Sequence, residues 1–233
     1  LSNRYFLQVA DWYLAQGGVA ALQPDREINL TPLPMFHMNA LGCSAVGMMV
    51  LGGAVVPLDR FHANRWWQCV ADSGATVVHC LGVIPAILLQ LPVTEVERQH
   101  RVRFAFAPGV DVRHRATFEE RYRIPIVEAW AMTETGGAAA TTTAREPAGF
   151  SARCVGRPSE GMEYRLVDDL GADVALGKPG ELLVRAKGED ARAGFFSGYL
   201  KDEEATEAAW QDGWFHTGDL FRRDEDGRFL WPG

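Results

Sequence analysis

Segments with the composition of strands and of helices alternate along much of this 233-residue chain. The strand candidates are short, apolar and rich in β-branched residues, and glycine or proline bounds them. They read AVVPL, ATVVHCL, RFAFA and IPIVEAW, and the helix candidates between them include PAILLQL and DVRHRATFEERY. Such alternation sets consecutive strands parallel, with the connecting helices packed on the sheet. The pattern therefore predicts an α/β fold, a mostly parallel sheet with helices on both faces.

The pattern changes near residue 150, where strands and turns replace the alternation. MEYRLVD and GELLVRA read as strands. Asp226-Gly227, between LFRR and RFLW, is typical of a hairpin turn in which both central residues adopt positive φ. We therefore expect residues 1–150 to form a parallel α/β subdomain and residues 151–233 to form a small β-rich subdomain.

The composition argues against several classes of function. With 23 basic and 30 acidic residues the net charge is −7, so we expect no nucleic acid partner. The longest apolar run, 45–57, is shorter than the roughly 20 residues that a membrane span needs. The four cysteines are widely spaced and form no CxxC pair, so we expect reduced thiols and a cytoplasmic location, without a disulfide framework or a zinc site.

A polar loop, TETGG, follows the last apolar strand candidate. In an open parallel sheet, ligands lie beyond the carboxyl ends of the strands, where loops supply donors and polar side chains. Hydroxyls beside flexible backbone suit phosphate oxygens, and the carboxylate of Glu134 suits the Mg²⁺ that accompanies nucleotide phosphates. A solvated loop leaving a sheet explains the same residues equally well. Trp130, taken alone, suits the core better than a base-stacking position.

Five motifs, taken together and in order, resemble those of one enzyme family. They read LPMFH, WAMTE, GKPGELLV, GYLKDEEAT and DGWFHTGD. In this order and spacing they are similar to the motif series of the adenylate-forming family, the ATP-dependent acyl-CoA synthetases and their relatives. The resemblance runs from about residue 3 to residue 231. It is nearest to the bacterial branch that contains carnitine-type and medium-chain acyl-CoA ligases.

The resemblance implies a two-step activation of a small-molecule carboxylic acid, in the area of fatty acid metabolism. The carboxylate attacks the α-phosphate of ATP to give an acyl-adenylate and pyrophosphate, and the thiol of coenzyme A then displaces AMP. Mg²⁺ accompanies the ATP. Little covalent chemistry falls to the protein, so positioning and the neutralisation of phosphate charge are expected to dominate catalysis.

The resemblance also implies the residues of the site. The two catalytic candidates are Thr133, which would hydrogen-bond the phosphates, and Glu134, which would ligate the metal. Asp219 would accept hydrogen bonds from both ribose hydroxyls, which suits the two acceptor oxygens of a carboxylate; an acid facing solvent beside a hairpin is the alternative. The other nucleotide-binding candidates are Pro108, Gly109, Glu128, Ala129, Trp130, Ala131 and Met132, with the Trp130 ring against adenine. Many relatives carry Tyr-Gly where this chain carries Trp130-Ala131.

Two histidines lie within the motifs. His37 corresponds to a position near the acyl pocket and the phosphates of the family, and a structural role explains it nearly as well. His216, in the DGWFHTGD motif, is expected to serve packing or the turn and not catalysis.

The resemblance places further parts of such an enzyme outside this chain. A phosphate loop with its lysine would precede Leu1, and a hinge and a C-terminal domain with the catalytic lysine would follow residue 231. We therefore expect residues 1–233 to belong to a large nucleotide-binding domain and to be inactive alone. Two alternatives stay open, an adenylation domain that loads a carrier protein and a non-catalytic nucleotide- or acyl-binding remnant. Neither the acid nor the oligomeric state is readable from the sequence.

Overall fold

The computed structural model describes residues 1–146 and 153–232. Its α-helices are α1 (Asn3–Leu14), α2 (Gly47–Leu51), α3 (Trp66–Ser73), α4 (Val83–Leu89), α5 (Val112–Tyr122) and α6 (Glu203–Ala208). A π-helix, Asn39–Val46, runs directly into α2. Among these described residues, no helix has both the length and the apolar character that crossing a membrane requires. The predicted division at residues 150 and 151 lies outside the described residues.

The first sheet is parallel, as predicted. Its strands are β1 (Ile28–Thr31), β2 (Ala54–Pro57), β3 (Val77–His79), β4 (Phe104–Phe106) and β5 (Ile126–Val127). They lie in the order β2-β1-β3-β4-β5, and every neighbouring pair is parallel. This order brings the carboxyl ends of the strands, and the loops that follow them, to one edge of the sheet.

Helices cover both faces of this sheet, which confirms the second part of the prediction. Val77, Phe104 and Phe106 pack in one core with α1 and the π-helix. Val78 and Ala105, their neighbours in the strands, pack in another core with α3, α4 and α5. Because successive side chains point to opposite faces, a sheet that is buried on both faces needs apolar residues at nearly every position. That requirement explains the uninterrupted apolar runs of the strand candidates.

The last predicted strand, IPIVEAW, forms two strands in different sheets. Ile126–Val127 completes the parallel sheet, and β6 (Ala129–Trp130) pairs antiparallel with β7 (Thr141–Thr142) in the second sheet. Glu128 lies between them, where its N–H donates to Oγ1 of Thr143 (2.9 Å) and its carbonyl accepts from the Thr143 N–H (2.9 Å). An apolar run carries no signal for such a change of sheet, which depends on the strand that pairs with each half. The second sheet thus begins before residue 150.

The second sheet is antiparallel and eight-stranded within the described residues, in agreement with the predicted β-rich part. Its further strands are β8 (Cys154–Pro158), β9 (Met162–Val167), β10 (Gly180–Ala186), β11 (Trp210–Gln211), β12 (Trp214–Arg223) and β13 (Phe229–Leu230). Aromatic side chains dominate its core, among them Trp130, Phe195, Phe215, Phe221 and Phe229.

The predicted hairpin at Asp226-Gly227 joins β12 to β13, but the turn differs from the prediction. Gly227 adopts positive φ (80°), whereas Asp226 does not. The Gly227 N–H donates to the Asp224 carbonyl (3.0 Å), and the Asp224 N–H donates to the Arg228 carbonyl (3.0 Å). The connection is therefore a three-residue loop that ends in a left-handed glycine, and it needs positive φ at one position only.

Candidate functional site

Hydrogen bonds bring together three loops that follow strands. These are residues 32–38 after β1, residues 107–111 after β4 and residues 131–137 after β6. The hydroxyl of Tyr5 donates to the Thr133 carbonyl (2.7 Å) and lies 3.7 Å from Sδ of Met38, which joins the first loop to the third. The carboxylate of Glu128 contacts the backbone of the second loop. The fold therefore brings these three segments together.

Glu128 is the buried acid of this region. Its carboxylate accepts hydrogen bonds from the backbone N–H groups of Gly109 (2.5 Å), Val110 (3.2 Å) and Ala129 (3.3 Å). Burial raises the pKa of Glu128 to about 7, and these N–H donors oppose that rise. Pro108 precedes Gly109 in this loop, and its carbonyl accepts the N–H of Gly82 (3.0 Å). Glu128 thus organises the 107–111 loop and titrates near neutral pH.

A cavity of about 720 Å³ adjoins this acid. Gly109 and Glu128 line it together with Trp231, Arg115 and Arg153. Trp231 packs on Phe221 of β12, with ring centroids 4.4 Å apart. An aromatic face together with convergent polar groups suits a flat heterocycle that carries hydrogen-bonding edges.

Two candidates that are 89 positions apart, Trp130 and Asp219, are in direct contact. The indole Nε1–H of Trp130 donates to Oδ2 of Asp219 (2.7 Å), and the Asp219 N–H donates to Oγ1 of Thr217 (3.1 Å). The Trp130 side chain is only 5% exposed and packs edge-to-face on Phe221. Trp130 is therefore a core residue whose polar edge orients the acid, and its ring is mostly covered by protein. That this ring lies against adenine stays a prediction.

The polar loop 131–137 is folded back on itself by Thr135. The Met132 N–H donates to Oγ1 of Thr135 (3.0 Å), and the Gly136 N–H donates to the Met132 carbonyl (3.0 Å). Thr135 is buried, whereas Thr133 is exposed and Glu134 is partly exposed. The loop is thus anchored by one hydroxyl, while the two predicted catalytic side chains lie at its surface.

Glu134 contacts a tyrosine that the sequence analysis did not single out. The Tyr199 hydroxyl donates to Oε1 of Glu134 (3.1 Å), and the Phe196 N–H donates to the Glu134 carbonyl (2.8 Å). Burial, with the nearby Glu134 carboxylate, raises the pKa of Tyr199 and keeps its hydroxyl a donor. Tyr199 belongs to the GYLKDEEAT motif, so its place within a matched motif was the available signal.

The remaining candidates have ordinary surroundings. Ala129 is buried beside the core under α1, Met132 packs partly on the core of the second sheet, and Ala131 is half-buried. His37 is exposed on the loop before the π-helix, where its Nδ1 accepts the N–H of Asn39 (3.3 Å). His216 lies near Glu181, with Nδ1 and Oε2 3.1 Å apart, on the same strand as Asp219.

Mg²⁺ is the metal that the candidate residues suit. Within residues 1–146 and 153–232, no group of three or more histidine, cysteine or acidic side chains is arranged to hold a metal ion. Mg²⁺ keeps several waters and is commonly held by one or two carboxylates plus substrate phosphates. A single accessible carboxylate, Glu134, beside the hydroxyl of Thr133 therefore fits that mode and does not fit a metal cage made of protein alone.

Known proteins resemble this chain in sequence. The sequence model of a family described as AMP-binding enzyme matches residues 1–200. A sulfoacetate–CoA ligase from Cupriavidus necator is 34% identical over 204 residues, which is 88% of this chain and 39% of the relative. A crotonobetaine/carnitine–CoA ligase from Proteus mirabilis is 29% identical over 97% of this chain and 43% of the relative. The chain thus spans about two fifths of the length of these curated relatives.

Solved structures share the fold. The N-terminal domain of FACL13 from Mycobacterium tuberculosis, bound to an inhibitor, superposes with a TM-score of 0.82 at 22% identity, over 100% of this chain and 56% of that one. ATP-bound MatB from Rhodopseudomonas palustris superposes with a TM-score of 0.77 at 22% identity, over 97% of this chain and 42% of that one. At this level of identity the likeness concerns the fold.

Proposed function

Because the chain belongs to the family of AMP-binding enzymes, we propose that it is part of an ATP-dependent acid–thiol ligase. The enzyme would convert a small carboxylic acid to an acyl-adenylate and then to a thioester of coenzyme A. The curated relatives described above are named as CoA ligases, which supports coenzyme A over a carrier protein as the acceptor. The four free cysteines agree with a reducing cytoplasmic location.

The hydrogen bond between Trp130 and Asp219 carries this proposal. It joins the WAMTE motif to the DGWFHTGD motif and uses Oδ2 of the carboxylate. A carboxylate that is fixed by one indole N–H retains acceptor capacity for hydroxyl groups of a ligand, since each oxygen accepts more than one hydrogen bond. Asp219 is only partly buried, so a ribose can reach it from solvent. In this proposal Asp219 binds the 2′- and 3′-hydroxyls of the nucleotide.

The base and the phosphates would lie on either side of this ribose. We assign the base to the cavity that Glu128 and Gly109 line. The backbone of Pro108 and of Ala129 to Met132 would contribute beside it, as the resemblance of the motifs implies. Thr133 and Glu134 would face the phosphates, and Mg²⁺ held by Glu134 would supply positive charge to neutralise them. His37, which is exposed near the end of the loop after β1, would border the acyl group.

The names of the relatives support a substrate class. The printed substrates of the relatives, sulfoacetate and crotonobetaine or carnitine, belong to those proteins, and they support a small acid here. Fatty acids remain candidates because of the resemblance of the motifs. A panel of short polar acids and fatty acids, tested for thioester formation with coenzyme A by the complete protein, decides between them.

The Asp219 assignment is tested by nucleotide titration calorimetry. Asp219→Ala should weaken ATP binding by roughly ten-fold to a thousand-fold, because charge-assisted hydrogen bonds to two hydroxyls are lost. The loss should largely vanish with 2′,3′-dideoxy-ATP, which has no ribose hydroxyls. The four titrations give the coupling energy between Asp219 and the ribose directly.

Asp219→Asn is the matched control, since its amide oxygen still accepts the Trp130 N–H and keeps that buried edge partnered. If Asp219 is only structural, the alanine variant should bind both nucleotides more weakly by the same factor. The asparagine variant should then bind both nucleotides as the wild type does. A coupling energy below about 0.5 kcal/mol lies within the error expected for independent sites and would show that Asp219 does not bind the ribose.

A further inference from the structure

Tyr5 of α1 connects the loop that carries Thr133 and Glu134 to the loop that carries His37. Its side chain is 1% exposed, and its hydroxyl donates to the carbonyl of Thr133 (2.7 Å). The same oxygen lies 3.7 Å from Sδ of Met38, the residue that follows His37. Burial raises the pKa of Tyr5 well above the ordinary value, so the hydroxyl remains protonated as a donor. One buried hydroxyl therefore meets both loops.

The glycines of the TETGG segment bring the loop onto α1. Gly136 has φ of 52°, and a Cβ there would lie 2.5 Å from the Tyr5 ring. A Cβ on Gly137 would lie 2.6 Å from the carbonyl oxygen of Gln8. Neither position accommodates a side chain without movement of the helix, so the glycines serve close packing on α1. The loop is pressed against the Tyr5 ring while the Thr133 side chain stays exposed.

The helix that carries Tyr5 is itself well fixed. The Ser2 side chain caps its first turn by accepting the Tyr5 N–H (3.2 Å). Val9 and Tyr13 continue the same buried face, and both are 0% exposed in the core under the parallel sheet. A rigid element is the kind of support that holds a loop to the sub-ångström tolerance a catalytic group needs.

We propose that Tyr5 is a positioning residue: its hydroxyl fixes the Thr133 carbonyl and so sets the place of the Thr133 and Glu134 side chains beside the loop that carries His37. This inference rests on the proposed function for its purpose, and on the hydrogen bond and the glycine packing for its geometry. Tyr5 contacts no substrate and acts through the loop.

The test compares two tyrosines with the same chemistry. Tyr5→Phe keeps the ring and removes the hydroxyl that bonds the Thr133 carbonyl. Tyr122→Phe removes an equivalent buried hydroxyl, which donates to the Leu88 carbonyl (2.9 Å) in the core with α3 to α5. Hydrogen exchange of the peptide 131–138 and calorimetric binding of AMP are measured for the wild type and both variants. Exchange is measured at a fixed interval below the melting temperature of each protein and expressed relative to the intrinsic amide rate at that temperature, which separates local opening of the loop from general stability.

For Tyr5→Phe we expect exchange of peptide 131–138 to accelerate by about three-fold to ten-fold, as loss of one hydrogen bond to a loop implies. We expect its AMP affinity to fall by about three-fold or more. In Tyr122→Phe the loop exchange and the AMP affinity should match the wild type.

Three results would overturn the positioning role. They are unchanged loop exchange in Tyr5→Phe, an equal change in Tyr122→Phe, and failure of Tyr5→Phe to fold. A wild-type protein that binds no AMP would instead count against the proposed function, and the exchange data would still decide whether Tyr5 holds the loop.

Discussion

At the scale of single residues, Glu128 performs several tasks at one position. Its backbone is the junction at which the chain leaves the parallel sheet, and Thr143 satisfies both its N–H and its carbonyl. Its carboxyl group ties the backbone of Gly109 and Val110 to that junction. Burial disfavours the charged form of this carboxyl group, and the N–H donors favour that form. Because the effect of burial is larger, the pKa of Glu128 is raised to about 7.

Glu128→Gln should change how stability depends on pH. Between about pH 4.5 and about pH 7 the folded protein keeps a proton on Glu128 that the unfolded chain has released, so the free energy of unfolding falls as pH rises through this window. The fall amounts to at most on the order of 3 kcal/mol. The glutamine variant should lack this component, and urea titrations of both proteins across the window measure it. Parallel stability curves would contradict the assigned pKa.

At the scale of elements, buried polar side chains hold helices in place. His79, at the end of β3, lies between Asn39 of the π-helix and Tyr13 of α1. The Asn39 amide oxygen, 2.6 Å away, places the proton on Nδ1, so Nε2 accepts the Tyr13 hydroxyl (2.7 Å). Burial lowers the pKa of His79 to about 3, and the ring is neutral. This network fixes the π-helix that follows His37.

The ion pair of Arg121 and Glu97 performs the corresponding task for α5. Arg121 donates through Nη2 (2.8 Å) and Nε (3.1 Å) to the Glu97 carboxylate, whose side chain is 1% exposed. It also donates to the carbonyl of Leu89, at the end of α4 (3.3 Å). The guanidinium therefore connects α5 to α4 and to the turn Glu95–Arg98.

Glu97→Ala should destabilise the fold by roughly 3 kcal/mol or more, because removal of one partner leaves a mostly buried guanidinium without its counter-charge. The Arg121 guanidinium holds the pKa of Glu97 below its ordinary value, so this stabilisation is lost as pH falls through the folded pKa. Chemical denaturation at neutral pH measures the change. The control is Glu207→Ala, whose bidentate pair with Arg192 lies at the surface. Its effect should be much smaller, and equal effects would contradict the role of burial.

At the scale of the whole molecule, two sheets meet at the candidate site. The parallel sheet supplies the loops 32–38 and 107–111, and the antiparallel sheet supplies Asp219 and the Trp130 that orients it. The matched region covers 39% to 43% of the curated relatives. Under the proposed function, activation of ATP would depend on several groups that act together, and a part of such a set gives far less than its proportional share of the rate.

We therefore expect residues 1–233, expressed alone, to give pyrophosphate exchange near the background of the assay with any carboxylic acid. A full-length relative, assayed beside it with the acid that it accepts, provides the positive control. Turnover comparable to that control would show that the described loops suffice for adenylation, and the proposal that further groups contribute would then be dropped.

The sequence by itself determined the fold class and the family. The alternation of apolar strand segments with helical segments is sufficient for the fold class, because a parallel sheet that is buried on both faces requires it. The order of the motifs was enough to identify the family. The TETGG loop was found as a polar segment after an apolar strand candidate, whereas Asp219, which lies within β12, was found only through the resemblance of the motifs. The hairpin at Gly227 was predicted from the Asp-Gly dipeptide, although the observed turn has positive φ at Gly227 only and not at both residues.

Only the tertiary structure decided the contacts across the chain. Three sets of contacts join residues that lie up to 128 positions apart. They are the strand pairs that divide IPIVEAW between two sheets, the hydrogen bond from Trp130 to Asp219 and the contact of the TETGG loop with Tyr5. No local pattern encodes such pairs, since period and propensity report a residue's neighbours along the chain and not its partners in space. The glycines of TETGG illustrate the difference: they read as flexible backbone suited to phosphates, and in the fold they are small so that the loop can pack on α1.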